Sequence, residues 1–467
     1  MKPEEYLHTV TDQIRCAGAR DMVEEELREH IRDQAEAYEA EGMFEEEALE
    51  KAVRDMGDPV ETGVALDRIH RPHMSWGTLA LAGALGIFGI VLQAVLSSGG
   101  GAVVGRDSLY WLKGHVRYTL MGMILMLAVY RLDYTVLAGR ARRVAAVYLA
   151  LLVMGTMLLG ETSAGIIVSI NIGIIRPSVS ALLYLYIPLY GAVLYDYRGI
   201  GYQGMWKPFL WALVPVWISW RVPSLSAAMI LLAAFALLFS VAVWHSWYRV
   251  NRKKTLAVLW GGMAALFLAW LGYGILAGGF AEYQVARIMA FLGKSSDSSY
   301  VSEMARQFLE GSTLVGGSIT KTSGLWENLP GCNSDYVFVS LVTTFGILAG
   351  VLAAALIVYL IFRIFRIALR QKNQLGMILG CASGLVFLLQ SVMHIMVNLN
   401  LIPAVAINLP FFSVGGSQLA VSYILLGIVL SVYRYKDIRQ ERRPEKQPEK
   451  KIRTWSLGSW TITNRSS

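Results

Sequence analysis

Apolar positions at the start of the chain recur with the period of a helix. Between residues 21 and 41 one apolar face is predicted, made of Val23, Leu27, Ile31, Ala35 and Tyr38. A second amphipathic helix is predicted over 45–56, and it should end at Gly57, Asp58 and Pro59 because proline cannot continue a helix. A short last helix is predicted with Val60, Val64, Leu66 and Ile69 on one face. Residues 1–72 should therefore form a small helical bundle, which we call the head.

Beyond the head, the pattern changes from amphipathic helices to long apolar runs. A helix needs about 20 apolar residues to span a membrane, and helices satisfy their own backbone hydrogen bonds inside lipid. Runs of this kind predict ten spans, at 76–97, 116–131, 144–160, 177–195, 206–221, 225–245, 256–279, 336–362, 375–398 and 416–433. The predicted fold class is all-α, a polytopic membrane domain over residues 75–435 with the head before it.

Composition and charge agree with this division. The chain has 467 residues, a mean hydropathy of +0.47 and only 16% charged residues, against about a quarter in soluble proteins. Residues 1–70 carry 20 Asp and Glu against 8 Lys and Arg, whereas the rest carries 14 against 34. Cys16, Cys332 and Cys381 are too scattered for a disulfide framework or a metal site. No nucleic-acid partner is expected.

The distribution of Lys and Arg predicts the orientation. Placing the head in the cytoplasm puts basic clusters at 140–143, 249–254 and 363–372 on the same side, as the positive-inside rule requires. Both termini are then cytoplasmic. Residues 436–467 form a basic cytoplasmic tail, which either contacts anionic lipid head groups or is simply solvated.

Two segments on the predicted outer face differ from ordinary short loops. The loop over 280–334 is long, and loops of that length are usually functional. The segment 399–417 is apolar but is interrupted by Pro403, Pro410 and two adjacent glycines. Irregular backbone at membrane depth is tolerated only against protein or a wet cavity, so a re-entrant segment that lines a site is predicted.

Four sequence motifs in the membrane part resemble the SEDS family (FtsW, RodA, SpoVE). The most specific is Leu-Pro-Phe-Phe-Ser-Val-Gly-Gly-Ser at 409–417, which is similar to the family's Leu-Pro-Phe-x-Ser-Tyr-Gly-Gly-Ser. Leu-Pro-Gly-Cys-Asn-Ser-Asp-Tyr-Val-Phe at 329–338 resembles Leu-Pro-Glu-x-His-Thr-Asp-Phe-x-Phe. Arg-Pro-Ser at 176–178 resembles Gln-Pro-Ser, and Arg-Leu-Asp-Tyr at 131–134 also matches. The head resembles the prefix domain of some Gram-positive permeases.

The resemblance implies an activity, a site and a location in a bacterial cytoplasmic membrane. SEDS proteins polymerise lipid II, an undecaprenyl-linked disaccharide-peptide, into glycan strands, and they usually pair with a monofunctional transpeptidase, a class B penicillin-binding protein. The family's essential aspartate corresponds to Asp335, as general base or as ligand of a divalent cation such as Mg²⁺ or Mn²⁺. The alternative for Asp335 is a plain helix N-cap.

The remaining substrate-binding candidates are cations, a histidine and the residues of the motifs. A pyrophosphate leaving group needs cationic contacts, for which Arg176, Arg287 and Lys321 are candidates, together with Lys294 and Arg306. Snorkelling interface residues are the alternative for each of them. The other candidates are Ser178, His394, Pro410, Ser413, Gly415, Gly416 and Ser417. Their alternative is structural, since His394 can be a satisfied interhelical histidine and glycines can serve tight packing.

The chain departs from the family pattern at several positions. Thr343 and Thr344 replace a Glu-Glu pair, and Val179 and Leu182 replace a polar pair after the Pro-Ser. His394 replaces an asparagine, Ala406 replaces a glycine, and no Arg-Trp lies between the third and fourth spans. The predicted function is a peptidoglycan glycosyltransferase acting at the outer face of the membrane in division, elongation or sporulation. A flippase for lipid-linked precursors and a scaffold that recruits a transpeptidase remain alternatives.

Overall fold

The structure is a computed structural model that describes residues 1–71, 73–99, 109–163, 166–173, 175–222, 224–276, 278, 282–291, 300–317, 319–436, 454–457 and 460–463. It is almost entirely helical, which confirms the predicted all-α membrane fold. The strands form two small antiparallel hairpins, β1 (Gly160–Ser163) with β2 (Ile166–Ile170) and β3 (Thr454–Leu457) with β4 (Trp460–Thr463). The second hairpin lies within the tail.

The head contains one helix more than predicted. Its helices are α1 (Pro3–Asp12), α2 (Ala17–Ala40), α3 (Glu45–Asp55) and α4 (Pro59–Ile69). The expected face of α2 is buried, but α1 contributes Tyr6, Leu7 and Val10 to the same core. Asp58 caps α4 by accepting hydrogen bonds from two backbone N–H groups of its first turn.

The apolar face predicted for α4 is wrong for three of its four residues, because only Leu66 of the four packs against the core of the head. Val60 and Val64 are exposed, and the face of α4 turned to α1 consists of Gly63 and Asp67. A side chain at Gly63 would stand 2.7 Å from the carbonyl oxygen of Val10, so the two helices pack more closely than valine would allow. The Asp67 carboxylate accepts a hydrogen bond from the backbone of the α1–α2 turn, at Arg15.

The membrane domain contains helices at all ten predicted places. Eight are long and apolar enough to span a membrane, namely α5 (Trp76–Ser98), α7 (Ala141–Leu158), α8 (Val179–Asp196), α10 (Leu225–Trp244), α11 (Arg252–Leu276), α16 (Ile347–Leu369), α17 (Gln374–Asn398) and α18 (Gly416–Arg434). The other two are α6 (Tyr110–Arg131), which carries several cations, and α9 (Lys207–Arg221), which has 15 residues.

The predicted span over 336–362 is not one helix. It breaks at Gly346, whose φ of +96° favours glycine, into α15 (Val337–Phe345) and α16. The backbone groups freed by the break are satisfied by residues 313–316 of the long loop, because Ile347 N–H donates to Thr313 O and Gly316 N–H donates to Phe345 O. The membrane span therefore begins at 347, and α15 precedes it with residues 337–344 buried.

The long loop over 280–334 is partly helical rather than structureless. Within its described residues lie α12 (Glu282–Phe291), α13 (Tyr300–Glu310) and α14 (Ile319–Asn328). Helices α13 and α14 both pack against α15, and the indole of Trp326 donates a hydrogen bond of 2.8 Å to Leu96 O in α5. The loop is therefore held against the helical bundle.

Helix α17 is the centre of the membrane domain, because 83% of the residues in its apolar 18-residue stretch are buried. In α11, at the periphery, 6% of the corresponding residues are buried. Helices α6 and α18 form the most extensive helix pair. A side chain at Gly122 of α6 would stand 2.4 Å from the Tyr423 ring, so glycine permits this close approach.

The head contacts the membrane domain at the end of α18. Tyr435 packs against the apolar core of the head, and His73 N–H donates to Arg434 O at 3.3 Å. We call the ends of the spans farthest from the head the distal ends. The amino end of α18, at Gly416, is one of these distal ends.

Candidate functional site

The turn over 329–336 presents Asp335 at the distal end of the bundle. Gly331 has a φ of +75°, and its carbonyl accepts hydrogen bonds from the N–H groups of Ser334 and Tyr336. Helix α15 begins immediately afterwards at Val337, and no side chain caps it. The alternative that Asp335 serves as a helix N-cap is therefore wrong.

The carboxyl group of Asp335 is partly buried and has two polar neighbours. Burial raises its pKa from the ordinary 3.8 to about 6, while a hydrogen bond from the Ile407 backbone and the positive charge of Arg287 lower it. A carboxyl with a pKa near 6 is ionised at neutral pH and can still accept a proton in that range. This property suits a general base.

Asn398, at the end of α17, fixes the backbone around Asp335. Its Nδ2 donates to Asp335 O and to His394 O, both at 2.9 Å, and its Oδ1 accepts a hydrogen bond from Val339 N at 3.2 Å. Sequence reasoning missed this residue. An asparagine one turn after His394 at the end of an apolar span was the only signal that could have identified it.

The segment 399–415 has irregular backbone packed against protein, as predicted. Its carbonyls are satisfied by buried side chains, since His394 Nδ1 lies 2.7 Å from Ile407 O and Ser226 Oγ donates to Ala406 O at 2.6 Å. His394 has no exposed surface, so it supports this segment rather than contacting a substrate directly. Its Nε2 atom has no hydrogen-bond partner among the described residues.

Ser413 joins the irregular segment to the turn that carries Asp335. Its hydroxyl donates to Ser334 O at 2.7 Å and accepts from Leu409 N at 2.8 Å. Next to it, Val414 N–H donates to Asn333 O at 2.8 Å. The two matched motifs are thus in direct contact, although 70 to 80 residues separate them in sequence.

Gln93, five residues before the end of α5, contacts the same two motifs and was also missed. Its Nε2 donates to Asn333 O at 3.2 Å and to Phe412 O at 2.9 Å, and the side chain is fully buried. A lone glutamine in an apolar span was the available signal, because such a group is expensive in a membrane unless it is paired.

The third motif, at 176–178, is linked to the Gly-Gly-Ser end. Ser417 Oγ accepts a hydrogen bond from Ser178 N at 3.0 Å, and the Ser178 hydroxyl caps α8 by accepting from Ala181 N. Arg176 forms an ion pair with Glu161 of β1 at 2.9 Å, with more than half of the arginine side chain exposed. The cation is therefore at the site and accessible, but it has a carboxylate partner that the sequence did not predict.

The remaining motif residues pack closely. A side chain at Gly416 would stand 2.4 Å from the Tyr118 ring, and one at Gly415 would stand 2.4 Å from the amide of Asn408. Pro410 lines a cavity of about 10 Å³ together with polar side chains of α17 and α18, space for about one water molecule. These three residues therefore have structural roles in the site.

Three of the predicted cations contribute no described contact to the site. The Lys321 side chain and the whole of Lys294 lie outside the described residues. Arg306 forms an exposed ion pair with Glu310 at 2.8 Å on α13, and nothing described links it to Asp335. Among the predicted cations, Arg176 and Arg287 are the two whose described contacts connect them with the motifs.

A resident metal site is not formed by the part of the chain that the structure describes. No three His, Cys, Asp or Glu side chains among those residues come together to hold an ion. Asp335 offers one carboxylate, whereas a stable divalent site needs several oxygen ligands. The donor set thus does not fit a permanently bound cation.

An open groove runs along α6 beside the site. Its volume is about 650 Å³, and it is lined by Leu112, Lys113, Val116, Arg117, Leu120, Met121 and Ile124. Its two cations are at the distal end of α6, and Arg117 lies over the ring of Tyr118, which in turn packs on Gly416. The groove thus combines an apolar surface with positive charge close to the motifs.

Comparison with known proteins identifies the membrane domain. The family model for FtsW, RodA and SpoVE, described as cell cycle protein, matches residues 73–438. A probable peptidoglycan glycosyltransferase FtsW from Wigglesworthia glossinidia brevipalpis is 24% identical over 74% of this chain and 90% of its own length. One from Borreliella burgdorferi is 32% identical over 42% of this chain and 52% of its own length.

Solved structures share the fold. One, from work on the structural coordination of polymerization and crosslinking by a peptidoglycan synthase complex, has a TM-score of 0.61 at 22% identity and covers 79% of this chain and 99% of that one. The rod shape determining protein RodA of Thermus thermophilus has a TM-score of 0.54 at 20% identity and covers 78% of this chain and 97% of that one.

Proposed function

Because the chain belongs to the FtsW/RodA/SpoVE family of cell cycle proteins, we propose that it is a peptidoglycan glycosyltransferase that polymerises lipid II. The observation that carries the proposal is Asp335, an ionisable group held at the distal end by the two motifs that the family resemblance singles out. Its neighbours Asn398 and Ser413 fix the backbone on both sides of it. Its relatives are probable peptidoglycan glycosyltransferases, which supports the same assignment.

In the proposed reaction, an acceptor sugar hydroxyl attacks the anomeric carbon of the lipid-linked donor. The new glycosidic C–O bond forms as the bond between the anomeric carbon and the pyrophosphate oxygen breaks, and the hydroxyl proton passes to the Asp335 carboxylate. Its pKa of about 6 leaves the carboxylate ionised at neutral pH and able to accept that proton. The departing lipid pyrophosphate carries the negative charge away.

The donor's two chemical parts suit two neighbouring surfaces. The groove along α6 suits a polyprenyl chain, and Lys113 and Arg117 at its distal end suit the pyrophosphate. Arg176 and Arg287 are further cations for the pyrophosphate, provided that Arg176 exchanges Glu161 for a phosphate oxygen. A Mg²⁺ or Mn²⁺ ion that arrives with the pyrophosphate would have Asp335 as its protein ligand.

The distal end is proposed to face outwards and the head the cytoplasm, because basic clusters lie at the opposite ends of the spans. The family resemblance and the fold shared with a structure from a peptidoglycan synthase complex support a class B penicillin-binding protein as partner. Such a transpeptidase would crosslink the strands that this chain produces.

The two alternative functions have less support. A flippase needs a polar path through the membrane. Among the described residues, the carboxylates of Asp67 in the head and of Asp196 at the last residue of α8 are buried, and neither lies in the middle of a span. A scaffold is favoured by Thr343 and Thr344, which replace family carboxylates and whose buried hydroxyls have no partner among the described residues. A polymerisation assay separates the three functions, because neither a flippase nor a scaffold makes glycan.

The test is polymerisation of fluorescent lipid II by purified protein, with and without a class B penicillin-binding protein, and with glycan length measured by gel electrophoresis. Asp335→Ala should abolish the product, whereas Glu303→Gln, on the exposed face of α13, is the matched loss of a carboxylate and should keep it. An Asp335→Ala variant that polymerises at the unmutated rate would refute the mechanism. If the unmutated protein makes no glycan under either condition, the glycosyltransferase assignment is wrong.

A further inference from the structure

Phe411 adopts a strained backbone conformation at the centre of the site. Its φ is +69°, in the left-handed region that bulky residues rarely adopt. Such conformations persist only where the surroundings enforce them, and they cluster at functional sites. The ring of Phe411 is stacked on Phe387 with centroids 5.8 Å apart and contacts Tyr423 edge-to-face at 5.2 Å, so packing fixes the side chain.

The carbonyl of Phe411 points into a contact between α5 and α6. A side chain at Gly89 would stand 2.2 Å from Phe411 O and 3.1 Å from Nε2 of His115, so both atoms border the same point. His115 is 2% exposed. Neither ring nitrogen completes a hydrogen bond within the described residues, although the Phe411 carbonyl oxygen borders the same point as Nε2.

A buried imidazole without a completed hydrogen bond is costly and requires an explanation. Catalytic hydrogen bonds are often long in the absence of substrate and shorten only in the reacting complex. The groups described beside His115 include the Phe411 carbonyl and Gly89, and Thr119 is the next buried residue along α6. None of these carries a charge, so a neutral imidazole that donates to the carbonyl is the form that fits.

The two residues that follow Phe411 connect it to the turn that carries Asp335. The carbonyl of Phe412 accepts from Gln93, and the hydroxyl of Ser413 donates to Ser334 O. A rotation of the Phe411 peptide would therefore displace the residue directly before Asp335. Two adjacent carbonyls therefore lie beside buried side chains. The Phe412 carbonyl accepts from Gln93 of α5, and the Phe411 carbonyl lies near His115 of α6.

We propose that His115 is a positioning residue that donates Nε2–H to the carbonyl of Phe411, locks the strained turn over 409–414 and thereby places Asp335 for catalysis. The catalytic part of this inference rests on the proposed function. The structural part, that the imidazole holds the turn, does not. None of the four family motifs in the sequence includes this residue.

The test compares His115→Leu, which removes the donor, with His115→Gln, whose amide can still donate. Hydrogen–deuterium exchange of the 409–414 amides is measured on the full chain in detergent, beside the kinetics of lipid II polymerisation. His115→Leu should accelerate exchange in this segment about tenfold and lower kcat by about tenfold with little change in KM. His115→Gln should restore both values to within about threefold of the unmutated protein.

A second variant and a control keep the test decisive if His115→Leu does not fold. Gly89→Ala displaces the same carbonyl while retaining histidine at position 115, and it should also accelerate exchange over 409–414. Thr119→Val removes a neighbouring buried hydroxyl of α6 at nearly constant shape and should leave that exchange unchanged.

Two results would overturn the proposal. One is unmutated exchange in His115→Leu or, if that variant does not fold, in Gly89→Ala. The other is a His115→Gln variant that exchanges as fast as His115→Leu, because the hydrogen bond would then not be what holds the turn. If the unmutated protein fails to polymerise lipid II while His115→Leu exchanges faster, the proposed function is wrong and the structural role of His115 stands.

Discussion

Replacing Asp335 with asparagine should make the protein more stable while it removes the activity. The unfolded chain releases the Asp335 proton near pH 3.8, whereas the folded protein retains it up to about pH 6. Above pH 6 the folded state therefore carries a desolvated charge, a cost that is gone below pH 3.8. Asparagine is neutral throughout, and its Oδ1 can still accept the hydrogen bond from Ile407.

The magnitude is set by the same two pKa values. Each tenfold change in the ionisation constant is worth about 1.4 kcal/mol, so a pKa raised from 3.8 to about 6 costs the folded state up to about 3 kcal/mol at pH 8. At pH 4.5 the folded carboxyl is still largely protonated, and the cost falls to about 1 kcal/mol. Asp335→Asn should therefore stabilise the protein by these amounts, more at pH 8 than at pH 4.5.

The assay is unfolding in detergent, followed by tryptophan fluorescence, of both proteins at pH 8 and pH 4.5. Glu303→Gln removes an exposed carboxylate from α13 and should change stability little at either pH. An Asp335→Asn variant that is no more stable than the unmutated protein at pH 8 would refute the reasoning, since burial would then not be what raises the pKa. An equal gain at both pH values would refute it as well, because the gain must track the ionisation.

Three further outcomes are expected from the contacts of the site. Polymerisation should rise about tenfold between pH 5 and pH 7 with a midpoint near 6, and a flat profile contradicts this. Arg287→Gln should move that midpoint to higher pH, because the arginine's charge lowers the pKa of Asp335, the proposed base. Ser413→Ala leaves the buried Leu409 N–H without its acceptor and should lower the free energy of unfolding by about 1–3 kcal/mol, measured by denaturation beside Ser413→Thr. Glu161→Gln releases Arg176 from its ion pair. The KM for lipid II should then fall by about two- to fivefold, the factor that corresponds to the free energy of an exposed ion pair. A raised KM would mean that the ion pair itself positions the donor.

The helices and the family motifs could be predicted from sequence because their signals are local. A run of apolar residues has to be helical in lipid whatever it packs against, and the ten predicted spans all coincide with helices. The irregular backbone over 399–415 was also predictable, because two prolines and adjacent glycines exclude a helix there. The pattern of charges also separated the head from the membrane domain, because it too is a local property of the sequence.

The break at Gly346 and the packing of α4 could not be predicted in this way. The residues on either side of Gly346 are as apolar as those in any span, and the break is stable only because residues 313–316 supply backbone partners. In α4 the valines had the expected spacing, but a glycine and an aspartate provide the closer fit to α1. Both outcomes depend on segments distant in sequence, whose approach no local pattern encodes.

The sequence by itself determined that this chain is a helical membrane protein of a known family with a carboxylate at its site. Only the tertiary structure decided what surrounds that carboxylate: Ile407 and Asn398 at Asp335, and Gln93 and His115 at the adjacent strained turn. These contacts join segments that lie from 63 to 319 residues apart in the sequence. The physical reason is that hydropathy fixes which segments enter the membrane, whereas hydrogen bonding between buried polar groups fixes how those segments meet.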